Sequence, residues 1–221
     1  HKPDLLLAAV LLTALFSGMV SAANAPTRAS HGMVISASDL ASKVGAQILQ
    51  EGGSAIDAAV ATAFALAVTY PSAGNIGGGG FLVYRPDEGQ AMTYDFREVA
   101  PAAATPEMWL VDGEYSFQKH HHSYASVGVP GTVAGLYLAW QDHGRLPWKQ
   151  LLAPAIRLAS EGFVMTDGLS RSLRETLPRM QQYPASMAAF SNNGKPYEAG
   201  DLWRQADLAA DHIGAVGHPV R

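Results

Sequence analysis

Gly52-Gly53-Ser54-Ala55-Ile56-Asp57-Ala58-Ala59-Val60-Ala61-Thr62-Ala63-Phe64-Ala65-Leu66-Ala67-Val68 decides the architecture of this chain. From Ala55 to Val68 nearly every residue is Ala, Val, Ile, Phe or Leu. A helix that is apolar on every side is buried on every side. The run is too short for a membrane span, which needs about 20 apolar residues. It therefore predicts a central core helix that ends before Pro71. Ser54, with Asp57 three positions on, matches a capping box in which Asp replaces the usual Glu or Gln. Gly52-Gly53 stops a preceding helix, in which Leu40, Val44, Ile48 and Leu49 share one face. Ser38 or Asp39 can cap the start of that helix. Upstream, Met33-Val34-Ile35 is β-prone.

Past the central helix comes the glycine loop Gly74-Asn75-Ile76-Gly77-Gly78-Gly79-Gly80, which runs into Phe81-Leu82-Val83-Tyr84. Pro86-Asp87-Glu88-Gly89 is a turn signal, and Gln90 to Phe96 returns as a second strand. Arg97 lies just beyond this predicted hairpin. Thr132 to Asp142 and Trp148 to Glu161 read as two more helices, the second stopped by Gly162. Residues 102–127 and 178–200 read as loop-rich. The fold class expected is mixed α and β, in one domain or one lobe of a larger one.

The 221 residues are 48% hydrophobic, enough to bury a core. Charged residues make up 15%, against roughly 25% in typical soluble domains. This deficit points to a surface covered in large part by something else, such as a partner polypeptide. A net charge of -4 and the lack of a basic stripe argue against nucleic acid as a partner. With no cysteine, neither disulfides nor thiol chemistry is available. At the amino terminus Lys2 precedes an uncharged apolar run from Leu5 to Val20, and small residues follow. That order predicts a secretory signal peptide over residues 1–22, cut after Ala22 or after Ala25; an uncleaved anchor is the alternative. Export to a bacterial periplasm or exterior is expected, without stable membrane insertion after cleavage.

The glycine loop is not a phosphate-binding loop, because no Lys-Ser or Lys-Thr follows it. It follows a helix and opens a strand, the reverse of a dinucleotide fingerprint. Four bare glycines instead mark a close approach, either of a ligand or of the protein's own chain. Arg97 sits in Tyr94-Asp95-Phe96-Arg97-Glu98. A guanidinium is the side chain best shaped to hold a carboxylate by two parallel hydrogen bonds. An ordinary surface pair with Asp95 or Glu98 would use the same residue to little effect. His120-His121-His122 offers imidazoles but no further ligands at zinc spacing, and a solvated loop is the expected reading. No metal or cofactor is called for.

Taken in series, several segments resemble the gamma-glutamyltranspeptidases. They are Ala41-Ser42-Lys43-Val44-Gly45, Gly52 to Ala61, Gly77-Gly78-Gly79-Gly80-Phe81, Asp95-Phe96-Arg97-Glu98, Val129-Pro130-Gly131-Thr132, Gly144-Arg145-Leu146-Pro147-Trp148 and Pro154-Ala155-Ile156-Arg157-Leu158-Ala159. The resemblance runs from Gly32 to Ala210 and implies part of an N-terminal nucleophile hydrolase αββα sandwich. It implies a precursor that cuts itself into a large and a small subunit. The new amino-terminal Thr of the small subunit then attacks the γ-glutamyl amide of glutathione or a similar compound, and water or an acceptor amino acid or peptide releases the acyl group. It also implies that Arg97 binds the α-carboxylate of the glutamyl group.

The nucleophile motif and the oxyanion-hole glycines of that family are absent from these 221 residues, so no catalytic residue is assigned here. An inactive fragment of the large subunit is expected. Residues 211–221 do not read as the helix expected next, and a frameshift would explain that tail. Two alternatives remain: a related acylase acting on glutaryl or β-lactam side chains, and a non-catalytic binding protein.

Overall fold

Ser38 and Ser54 start the two helices that organise the molecule. The Ser38 hydroxyl accepts from the Ala41 amide, beginning α1 (Asp39–Gln50). The Ser54 hydroxyl accepts from the Asp57 amide while the Asp57 carboxylate accepts from the Ser54 amide, beginning α2 (Ala55–Thr69). The reciprocal bonds complete the capping box that the sequence predicts. The computed structural model describes residues 26–217. The predicted signal peptide at 1–22 lies outside them. Residues 26–31 carry no regular structure, and the elements below belong to a unit beginning at Gly32.

Helix α2 is the core, as its all-apolar composition requires. Val60, Ala61, Phe64, Ala65 and Val68 are fully buried. Around them pack α1, α4 (Thr132–His143) and α5 (Trp148–Glu161). Helix α5 contributes Leu151, Leu152, Ala155 and Ala159, all at zero exposure. Between α2 and α4 lie a hairpin of β1 (Phe81–Tyr84) and β2 (Met92–Asp95), a 3-10 turn at Pro106–Trp109, a second hairpin of β3 (Leu110–Val111) and β4 (Glu114–Tyr115), and the short helix α3 (Phe117–His122). After α5 come β5 (Phe163–Val164), α6 (Asp167–Met180), α7 (Pro184–Phe190), β6 (Leu202–Trp203) and α8 (Ala206–Gly217). The described strands form three two-stranded antiparallel sheets, β1-β2, β3-β4 and β5-β6. The class is mixed helix and strand, as expected. Among the described residues no helix is long and apolar enough to cross a membrane.

Several sequence expectations give way. Met33-Val34-Ile35 joins no strand; Val34 instead packs on the core by its side chain. The loop-rich segments 102–127 and 178–200 hold short helices and a hairpin. His120, His121 and His122 lie in α3 and not in a loop, because the Ser116 hydroxyl caps that helix at the Lys119 amide. The tail from Asp211 is helical through Gly217. Ala209, His212 and Ala215 recur every third residue on one face and are buried. Trp148 of α5 donates its indole N–H to the Ala215 carbonyl at 3.0 Å. Here packing against α5 overrides the low helix propensity of Gly214 and Gly217.

The β1-β2 hairpin is tied to the end of α4. Leu82, Tyr84 and Tyr94 face the core. The Tyr94 hydroxyl donates to Asp142 at 2.8 Å. Burial, then this bond to a carboxylate, pushes the Tyr94 phenol up to about 12. Its unfolded value is about 10. The stabilisation is therefore complete below pH about 10 and is lost as the pH rises through about 12. Denaturant titrations across that window should show wild-type stability falling more steeply than that of Tyr94→Phe. Equal slopes would refute the tie.

Candidate active-site segment around Arg97

Arg97 leaves the end of β2 on a stretch of backbone that is gripped on both sides. Before it, the Phe96 amide donates to the Gly80 carbonyl at 3.1 Å, continuing the β1-β2 ladder by one pair. After it, Val99 and Val129 exchange backbone hydrogen bonds of 3.2 and 2.8 Å. The Arg97 amide itself donates to Asp95 Oδ1 at 3.1 Å. The residue between these clamps has little freedom to turn.

Glycines make this grip possible. A Cβ at Gly79 would fall on the Glu98 amide, with the Arg97 Cα at 2.6 Å. A Cβ at Gly131 would fall on the Phe96 carbonyl, and one at Gly135 on the Phe96 ring. The glycine run and the start of α4 therefore close on residues 96–98 from two directions. Of the two partners open for the glycine run, a ligand or the protein's own chain, Gly79 meets the latter.

The loop is joined to α4 by hydrogen bonds that the sequence does not announce. The Gly78 carbonyl accepts from the Gly131 amide at 2.8 Å and from the Thr132 amide at 3.1 Å. Asn75 Oδ1 accepts from the Gly78 amide at 2.9 Å and from the Thr132 hydroxyl at 2.7 Å. Asn75 and Thr132 stand 57 positions apart, so no local spacing could reveal the pair.

Arg97 is exposed, and its guanidinium takes part in no ion pair. The surface pairing with Asp95 or Glu98 is thus not formed. Among the described residues the ion pair found is Arg174–Glu198. Apolar side chains flank the segment and face outward: Phe81 and Val99 are each 62% exposed. The arrangement offers an exposed cation on a clamped backbone beside uncovered apolar surface, a chemistry that suits a carboxylate. The imidazoles of α3 are occupied by neighbouring rings: His120 stacks on Trp109 at 4.4 Å and accepts or donates a 2.8 Å bond with Tyr115. No group of three His, Cys, Asp or Glu among the described residues is placed to hold a metal ion.

A sequence profile of gamma-glutamyltranspeptidase matches residues 41–213, which include the glycine loop, Arg97 and most of α8. The chain belongs to the gamma-glutamyltranspeptidase family. The glutathione hydrolase proenzyme of Pseudomonas sp. (strain A14) is 45% identical over 206 residues, covering 92% of this chain and 36% of that protein. Among solved structures, the gamma-glutamyltranspeptidase of Helicobacter pylori superposes with a TM-score of 0.83 at 39% identity, over 87% of this chain and 56% of that one. The cephalosporin acylase of Bacillus halodurans follows the same fold at a TM-score of 0.75 but only 28% identity, over 90% of this chain and 39% of that one. These likenesses assign the chain to the N-terminal nucleophile hydrolase fold of the gamma-glutamyltranspeptidases, of which it supplies a part. It spans about a third of the length of the curated relatives it matches.

Proposed function

We propose that this chain is the amino-terminal part of the large subunit of an exported enzyme that cleaves γ-glutamyl amides, such as glutathione. In this reading Arg97 holds the α-carboxylate of the glutamyl group. The observation that carries it is an unpaired guanidinium on a doubly clamped backbone, at the place of the family's Phe-Arg-Glu motif. The nucleophile, a Thr at the amino terminus of the small subunit, lies beyond these residues. Its hydroxyl oxygen attacks the amide carbon, its proton passes to the departing amine, and water or an acceptor amine then takes the acyl group. No cofactor enters this chemistry. The exposed Phe81, Val83 and Val99 are surface that the remaining two-thirds of such a precursor would cover.

An acylase acting on glutaryl or β-lactam side chains would also fit the fold. The acylase likeness is weaker in identity than the transpeptidase one.

A chimaeric precursor tests the reading. This chain replaces the matching part of the Pseudomonas sp. proenzyme, and the product is offered a chromogenic γ-glutamyl amide and a chromogenic glutaryl amide. Self-processing and turnover of the γ-glutamyl amide are expected, with little turnover of the glutaryl one. A chimaera that processes itself but prefers the glutaryl amide would establish the acylase instead.

A further inference from the structure

We propose that Asn75 and Thr132 form a latch that positions Arg97, a role that rests on the carboxylate-clamp reading above. Neither side chain reaches the guanidinium, so they act through backbone. The Thr132 hydroxyl and the Gly78 amide both donate to Asn75 Oδ1, at 2.7 and 2.9 Å. The same Gly78 returns its carbonyl to the Gly131 and Thr132 amides. Three of these four bonds fasten the middle of the glycine loop to the first turn of α4, and the Gly78–Asn75 bond closes the loop on itself.

Fastening matters because of what the next residues touch. Gly79 lies against the Glu98 amide and the Arg97 Cα, and Gly131 lies against the Phe96 carbonyl. If the loop and the helix drift apart, the two walls around residues 96–98 separate. Arg97 then keeps its charge and exposure but loses its direction. Bidentate binding of a carboxylate depends on direction, whereas a loosely aimed cation gives only a weak exposed pair.

The chemistry of the latch is specific. Asn75 Oδ1 is a single acceptor shared by two donors, and Asn75 Nδ2 is turned away to the Ala73 carbonyl at 3.2 Å. Thr132 is buried, so its hydroxyl has no ready water in place of Asn75. A valine there keeps shape and removes the donor; a serine keeps the donor and removes only a methyl group.

The test has two arms. In the full 221-residue chain, hydrogen exchange is followed at the Gly78, Gly80, Phe96 and Val99 amides for wild type, Thr132→Val, Thr132→Ser and Asn75→Ala. Thr132→Val should speed exchange about tenfold, the effect of one lost buried hydrogen bond, and Asn75→Ala, which removes the acceptor of both Thr132 and Gly78, by at least as much, while Thr132→Ser stays near wild type. In the chimaera, Thr132→Val should raise KM for the γ-glutamyl amide about tenfold with kcat little changed, again restored by serine. Asn75 lies in a loop, so its alanine variant keeps the test alive if Thr132→Val fails to fold. Unchanged exchange and KM in both variants, beside a raised KM in Arg97→Ala, would overturn the latch alone. An unchanged KM in Arg97→Ala would overturn the clamp reading, and with it the purpose assigned to the latch.

Discussion

Alanine at Asp57 should destabilise the folded chain by about 3 to 5 kcal/mol, out of a total that for a domain of this size is about 5 to 15. Asp57 is a carboxylate with zero exposure. Its Oδ2 accepts from the Ser54 amide at 2.7 Å, the Arg145 amide at 2.9 Å and the Leu146 amide at 3.3 Å. It thus closes the start of α2 and also receives the chain that turns from α4 to α5. The positive end of the α2 dipole favours the charge there. Removing the side chain takes the shared acceptor from three amide donors at once, which is why the expected loss exceeds that of an ordinary cap, about 1 kcal/mol. Asparagine keeps one acceptor oxygen but turns an N–H₂ toward amides, so Asp57→Asn should fall between alanine and wild type. Urea denaturation of the three proteins measures this. A loss below about 1 kcal/mol for alanine would mean that the Arg145 and Leu146 amides find other partners.

Asp57 also marks how far the sequence reaches. Its part in the capping box was legible, because Ser54 stands three residues before it. Its hold on Arg145 was not, because the two are 88 positions apart. The same division runs through the fold. Helices α1, α2, α4 and α5 announce themselves by their apolar residues, on one face in α1 and all round in α2, and by Ser38, Ser54 and Gly162 at their ends. The hairpin before Arg97 follows from β-prone runs around Pro86 to Gly89. Helix α8 does not announce itself, since Gly214 and Gly217 argue against a helix and only contact with α5 outweighs them. Helix α3 is six residues long and rests on one Ser116 cap. For the site, Arg97 was legible by motif and the glycine run by composition. That Gly79, Gly131 and Gly135 all close on residues 96–98 required three dimensions.

Replacing Arg97 by alanine in the chimaera should lower kcat/KM for a γ-glutamyl amide by about 10² to 10³, the cost of leaving a partly desolvated carboxylate without its partner. Most of the loss should fall on KM, because the α-carboxylate is remote from the amide being cut and is bound in ground and transition states alike. Lysine keeps the charge but offers a point donor in place of a fork, so Arg97→Lys should recover only part of the loss. The decisive comparison uses a second substrate, the same amide without the α-carboxylate. Wild type should discriminate strongly between the two. Arg97→Ala should treat them nearly alike, because the group removed from the protein and the group removed from the substrate are each other's partner. Self-processing into two subunits should be normal in the variant, since the Arg97 side chain is exposed and forms no ion pair. Should the alanine variant still discriminate as wild type does, the carboxylate is held elsewhere, and the two-sided clamp on residues 96–98 serves some other group.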